Sequence, residues 1–201
     1  MTYPTRTFDL PTLSGISDEQ ISVHLGLYEG YVKNVNTLLA TIGAYEGVQD
    51  EGGAYAVHAM RLRLAFEFDG MRLHEFYFEQ FEGGPAPLTT GGALSDAIVE
   101  QYGTKSLEDH MREVAGARGL GWVVVYADPL ARTFHVAFVS EHQNGHFAGL
   151  PILAVLDLWE HAYMVDYVPA TKKNYLDAFF KNINWPVVEK RFEDAMAMST
   201  V

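Results

Sequence analysis

Three histidines and an aspartate give a 201-residue chain without cysteine its first chemical signal. His24 is followed by Tyr28 and Tyr31 at i+4 and i+7, which on a helix turns an imidazole and two phenols toward one neighbour. His74 lies among Leu73, Phe76, Tyr77 and Phe78, apolar company that disfavours the imidazolium and leaves a neutral nitrogen able to bind a cation. Asp157 and His161 bracket Leu158, Trp159 and Glu160 directly behind an apolar run, where buried polar groups need a partner. Without a thiolate, any metal here is held by nitrogen and oxygen donors, a set that suits iron or manganese with one open position and, on ligand type alone, zinc. The competing reading makes His24 a core histidine bonded to a carbonyl and Phe76, Tyr77 and Phe78 plain core. His142 and His146, in the loop EHQNGHFAG, are surface histidines unless His142 bonds a group at the metal.

These residues need elements to carry them. Ser17 with Gln20 three residues on has capping-box spacing, and Ile21, Leu25, Tyr28, Val32, Val35 and Leu39 keep one stripe, so a helix is predicted over 18–44. The polar, glycine-rich EGVQDEGG reads as a turn, and a second long helix over 54–82 packs antiparallel on the first. GGPAP at 83–87 is the densest cluster of helix breakers and marks a boundary, giving domains 1–86 and 87–201 with the metal site between them. Two short helices follow, Ala93–Tyr102 and one opened by Ser106 with Asp109. WVVVY and TFHVAFVS then form a hairpin, PILAVLDL a third strand, and Lys172–Lys181 and Pro186–Met198 two closing helices. The expected fold class is α+β: a long antiparallel helix hairpin, then an α/β domain with a three-stranded antiparallel sheet.

Composition removes other classes. Forty-eight per cent hydrophobic against 20% charged residues is too apolar for disorder, and no apolar run reaches the ~18 residues that suggest a membrane span. A net charge of −12 has the wrong sign for tracking a phosphate backbone, so neither nucleic acid nor membrane is an expected partner. MTYPTRTFDL has neither the form of a secretory signal nor that of a transit peptide, and a cytoplasmic location is expected.

The segments DLWEHAYMVDY and NYLDAFFKNINWPVVEKRF resemble the C-terminal signature of the iron/manganese superoxide dismutases, whose hallmark is D-x-W-E-H-A-Y. The similarity continues through GLGWVVV, HEFYF and ISDEQISVHLGLYEGYV and spans the chain from Phe8 to Ala197. It implies His24, His74, Asp157 and His161 as ligands of one iron or manganese ion per subunit, iron preferred. The implied activity is conversion of superoxide to dioxygen and hydrogen peroxide by alternating reduction and oxidation of that ion. The resemblance also implies a homodimer or tetramer in which Glu160 reaches across to a ligand histidine, with Tyr163 beside it and Trp122 and Trp159 as pocket walls.

Departures from the family pattern define the remaining expectations. HLGLYEGY stands where H-x-x-x-H-H-x-x-Y is usual, so Tyr31 is the gateway tyrosine and Tyr28 takes the place of a gateway histidine, one residue having been lost between them. Val124 and Phe78 replace tryptophans, Lys172, with Lys173 next to it, replaces a funnel arginine, and Gly70 stands where some relatives carry a glutamine. SEHQNGH resembles a loop of the archaeal members, making His142 the donor to solvent at the metal and Gln143 its alternative. The rival to an active enzyme is a metal-binding or structural relative that has lost catalysis.

Overall fold

A computed structural model describes residues 2–45 and 50–198. Helix α1 (Asp18–Ala44) starts as expected: the Ser17 hydroxyl accepts the Gln20 N–H at 3.0 Å, and Asp18 and Glu19 place negative charge at the helix N-terminus. The reciprocal half of the capping box is absent, because the Gln20 side chain is buried and used elsewhere. The inward stripe is Gln20, His24, Tyr28, Val32, Val35 and Ile42, whereas Ile21, Leu25 and Leu39 only flank it, half-buried. Two polar residues extend the buried stripe, so apolar periodicity alone set its axis slightly off.

Helix α2 (Glu51–Glu79) begins three residues earlier than expected. The Asp50 carboxylate accepts the Gly53 N–H at 2.6 Å, an N-cap strong enough to draw two glycines into the first turn. Of the turn expected between the helices, residues 46–49 lie outside the described residues. Helices α1 and α2 form the antiparallel hairpin.

Beyond 83–87 come α3 (Ala93–Tyr102) and α4 (Leu107–Ala115), the latter with its capping box closed between Ser106 and Asp109. Strands β1 (Gly121–Asp128), β2 (Thr133–Ser140) and β3 (Ile152–Asp157) make an antiparallel sheet in the order β2-β1-β3. The central strand is buried through its first seven residues, as expected of a β-branched run covered on both faces. Two 3₁₀ turns, Glu160–Ala162 and Pro169–Thr171, lead into α5 (Lys172–Asn182), and α6 (Trp185–Ala197) carries Pro186 in its first turn.

The buried apolar side chains form one cluster that runs across residue 86 into the sheet. Gln80 at the end of α2 makes the seam specific: its amide donates to the Val155 carbonyl at 2.6 Å, and its backbone carbonyl accepts the Asn184 N–H at 2.8 Å. No helix among the described residues is long and apolar enough to cross a membrane.

Candidate metal centre

Four elements aim one donor each at a common point. His24 comes from α1, His74 from α2, Asp157 from the last position of β3 and His161 from the 3₁₀ turn behind it, and their ligand atoms all lie within 4.8 Å of one another. Asp157 Oδ2 is 3.1 Å from the Nε2 atoms of both His24 and His161 and 3.8 Å from that of His74. His24, His74 and Asp157 are fully buried, and His161 is 17% exposed at its side chain.

Three of the donors are oriented from behind, whereas the Nδ1 of His24 is buried with no hydrogen-bond partner among the described residues. The Nδ1–H of His74 donates to the Gly70 carbonyl at 2.6 Å one turn earlier, so its Nε2 carries the lone pair. That Nε2 is buried with no hydrogen-bond partner among the described residues. The Trp159 N–H donates to Asp157 Oδ1 at 2.8 Å, which leaves Oδ2 facing the three imidazoles. The Asp157 carbonyl accepts the Tyr175 hydroxyl at 2.9 Å, and that hydroxyl meets the Tyr77 hydroxyl at 3.3 Å. Gln20 fixes the His161 turn by donating to the His161 carbonyl at 2.7 Å and accepting the Val165 N–H at 2.9 Å.

Burial holds the His24 and His74 imidazoles below the usual histidine range, against the pull of Asp157. Burial alone would raise the Asp157 carboxyl, but the imidazoles of His161 and His24 overrule it and keep the group ionised. Three imidazoles around one carboxylate, two of them disfavoured as cations by burial and one with an orphaned nitrogen aimed inward, fit a divalent or trivalent cation of intermediate hardness.

Around this cluster lies a second group. The His142 imidazole is buried between the rings of Phe66 at 4.5 Å and Trp159 at 4.8 Å, and burial pushes its pKa down to about 4. Its Nδ1 accepts the Trp122 indole N–H at 3.0 Å, and its Nε2 is 2.7 Å from the Tyr31 hydroxyl. Trp122 pairs with Asp157 across β1 and β3, so strand register places the indole beside the ligand carboxylate; its ring stands 5.1 Å from His74. Trp159 stacks on both His142 and His161. Phe78 closes the far side with its ring 4.9 Å from His24, and Val124 sits in the buried middle of β1.

Other expected residues fall elsewhere. Tyr28 does not join the pocket: its hydroxyl donates to Glu75 at 3.1 Å and accepts the Arg6 N–H at 2.9 Å, so it straps the N-terminal segment to the helices. Gln143 is half-buried, with its amide nitrogen 3.4 Å from the Glu141 carboxylate and its Oε1 without a hydrogen-bond partner among the described residues. Lys172 is half-buried, where burial lowers its pKa against the pull of Asp157, whereas Lys173 is exposed. Glu160 is exposed beside His161, and Tyr163 is buried against Tyr175 with ring centroids 5.2 Å apart.

Sequence reasoning missed Phe66 and the support role of Gln20. Both carried a signal, since Phe66, Gly70 and His74, like Gln20 and His24, recur every four residues on one helix face.

Gly70 earns its place sterically. A Cβ there would come within 2.7 Å of the Tyr31 ring, so the residue that elsewhere could carry a long side chain is here the floor on which Tyr31 lies.

Comparison with known proteins agrees with this arrangement. The profile of the iron/manganese superoxide dismutases, C-terminal domain, matches residues 90–191. The iron superoxide dismutase of Aquifex pyrophilus is 34% identical over 195 residues, covering 92% of this chain and 87% of its own. That of Saccharolobus solfataricus is 32% identical over 185 residues, covering 89% and 86%. A manganese superoxide dismutase of Halobacterium salinarum is 28% identical over 200 residues, covering 97% and 96%. With a buried three-histidine, one-aspartate cluster and this similarity along nearly its whole length, the chain belongs to the iron/manganese superoxide dismutase family.

Proposed function

We propose that this protein is a superoxide dismutase, an oxidoreductase in which two superoxide ions and two protons give dioxygen and hydrogen peroxide. The observation that carries the reading is the convergence of His24, His74, Asp157 and His161, with the orphaned His74 Nε2 among them. These four residues would hold one iron or manganese ion, iron being preferred from the relatives named above. When bound, the ion supplies a one-electron couple that accepts an electron from one superoxide and returns it to the next.

The rest of the chemistry belongs to side chains. Asp157, kept ionised, balances part of the cation charge. Trp122 is a donor only, so His142 Nδ1 must accept, and the single proton of the neutral ring then sits on Nε2, facing the Tyr31 oxygen. Tyr31 therefore accepts from His142, and its own O–H remains free to give a proton into the pocket. Burial raises the Tyr31 pKa, so that proton is retained at neutral pH until a more basic peroxide draws it.

Superoxide is an anion approaching a protein of net charge −12, and Lys172 supplies the local positive potential. A homodimer fits the exposed Glu160 carboxylate beside the partly open His161, and the exposed apolar residues Val23 and Leu27 on α1 and Met164 and Val165 behind the 3₁₀ turn. We also assign the chain to two domains, 1–86 and 87–201, and to the cytoplasm.

The test is metal content together with superoxide-dismuting activity, repeated after stripping the metal and reloading iron and manganese separately. One equivalent of metal per chain and recovery of activity with at least one metal is the expected result. Stoichiometric metal with no activity under either loading would overturn the reading in favour of an inactive relative.

A further inference from the structure

We propose that His146 is a positioning residue that holds His142 in the proton path, through one hydrogen bond to its backbone. The proposal rests on the assignment of His142 and Tyr31 to that path.

The loop between β2 and β3 has to turn His142 inward at once. Ser140 and Asn144 pair across the turn, the Ser140 N–H donating to the Asn144 carbonyl at 2.8 Å, and the intervening Glu141 has φ +54°, a left-handed conformation rare for a residue with a side chain. Such a conformation persists only where neighbours over-determine it. Two bonds do so on either side of His142. The Glu141 N–H donates to the Leu120 carbonyl at 3.1 Å, and His146 Nε2 lies 2.8 Å from the His142 carbonyl.

Valence fixes the His146 tautomer. A carbonyl oxygen only accepts, so Nε2 carries the proton, and Nδ1 accepts the Tyr126 hydroxyl at 2.6 Å. The Asp69 carboxylate of α2 lies 3.9 Å from the same Nε2. Tyr126 belongs to the buried central strand, so the loop is referenced to the sheet that also carries Trp122 and to the helix that carries Gly70 and His74. In the loop, then, one histidine faces the pocket and the one a helical turn later sets where its backbone stands.

Two substitutions separate hydrogen bonding from packing. His146→Gln keeps a donor for the His142 carbonyl and an acceptor for Tyr126 but loses the ring; His146→Phe keeps the ring and loses both. In the metal-loaded protein, with metal content measured on each sample, His146→Phe is expected to lower kcat at least fivefold, with KM changed less than twofold, and to move the alkaline limb of the kcat–pH profile. His146→Gln is expected to stay within twofold of the parent in kcat with that limb in place.

The reverse order, Phe active and Gln impaired, would overturn the proposal, as would both variants matching the parent in kcat and pH profile. Tyr31→Phe and His142→Ala serve as reference variants. If they lower kcat while both His146 variants are normal, the proton path stands and only the positioning role fails; if they too are normal, the path fails and the proposal with it. Should His146→Phe not fold, Tyr126→Phe replaces it, expected to lower kcat at least threefold and to move the alkaline limb, and kcat within twofold of the parent with that limb in place would overturn the proposal.

Discussion

Tyr28 and Tyr31 stand three residues apart on the same helix, yet one side of α1 uses its phenol as a strap and the other as a tool. Tyr28 faces Glu75, and both of its hydrogen-bonding valences are spent, one on that carboxylate and one on the Arg6 N–H. Around it the N-terminal segment is fastened by paired bonds between Tyr3 and Asn36 and by the Arg6–Glu79 ion pair. Tyr31 instead lies over Gly70, where the missing side chain lets its ring reach His142, and its hydroxyl proton is left over. What separates the two is the facing residue on α2, a glutamate in one case and a glycine in the other. The Tyr28 proton is committed to Glu75, and that phenol serves the strap.

The contrast can be broken at its strongest point first. His24 shares the helix with both tyrosines, and His24→Ala removes a ligand and leaves the Asp157 carboxylate with fewer partners; metal affinity should fall by at least about 100-fold and activity with it. Metal retained per chain after dialysis against a mild chelator measures this, and full retention would remove His24 from the ligand set.

Next come the tyrosines themselves. Tyr31→Phe should reduce kcat by roughly 10- to 100-fold, because the proton donor is lost, and it also lowers Tm by a few degrees, because the buried His142 Nε2–H loses its acceptor. Tyr28→Phe should lower Tm and spare kcat. It strands the Glu75 oxygen and the Arg6 N–H, costing about 1–2 kcal/mol, a Tm drop of roughly 3–6 °C in a chain of this size, with kcat within about twofold. Thermal melts and kcat measured on the same preparations decide the matter, and equal effects of the two substitutions on both quantities would erase the distinction.

Gly70→Ala probes the cause of the difference. The new methyl meets ring atoms of Tyr31 at 2.7 and 2.8 Å, so the ring must move away from His142. An intermediate loss of kcat, roughly three- to tenfold, is expected with the metal still bound, since the Gly70 carbonyl that orients His74 is unchanged. Combining Gly70→Ala with Tyr31→Phe should then add little, because residues acting as a unit are not additive.

Much of this division was open to reading before the fold was known, and the part that was not has a common cause. The four residues that converge announced themselves through type and context: a polar group directly behind an apolar strand, an imidazole among aromatics. The helix and strand limits largely followed from caps and β-branched runs, except at α2, which Asp50 caps earlier than its two glycines suggested and which ends at Glu79, three residues before the expected limit. Tyr28 was misplaced because sharing a helix face fixes direction only to within the reach of a long side chain, and its partners are 22 and 47 residues away. Gln20 meets the His161 turn across 141 residues. Such nonlocal bonds leave no pattern in the local sequence beyond the four-residue step that aligns Gln20 with His24 and Phe66 with His74.

The smallest expected effect concerns approach rather than chemistry. Lys172 is a half-buried ammonium close enough to feel Asp157. A point charge steers an anion without the fixed geometry of an arginine fork, so its contribution should appear in kcat/KM and be sensitive to screening. Lys172→Glu reverses the local charge in a protein already at −12. At ~10 mM salt, where the Debye length is about 30 Å, kcat/KM should fall by roughly three- to fivefold, and near 1 M salt, where it is about 3 Å, the variant and the parent should converge. Tyr31→Phe should keep its deficit at both salt concentrations, because a missing proton cannot be screened. Equal salt dependence in the two variants would mean that Lys172 acts on the proton path and not on the encounter.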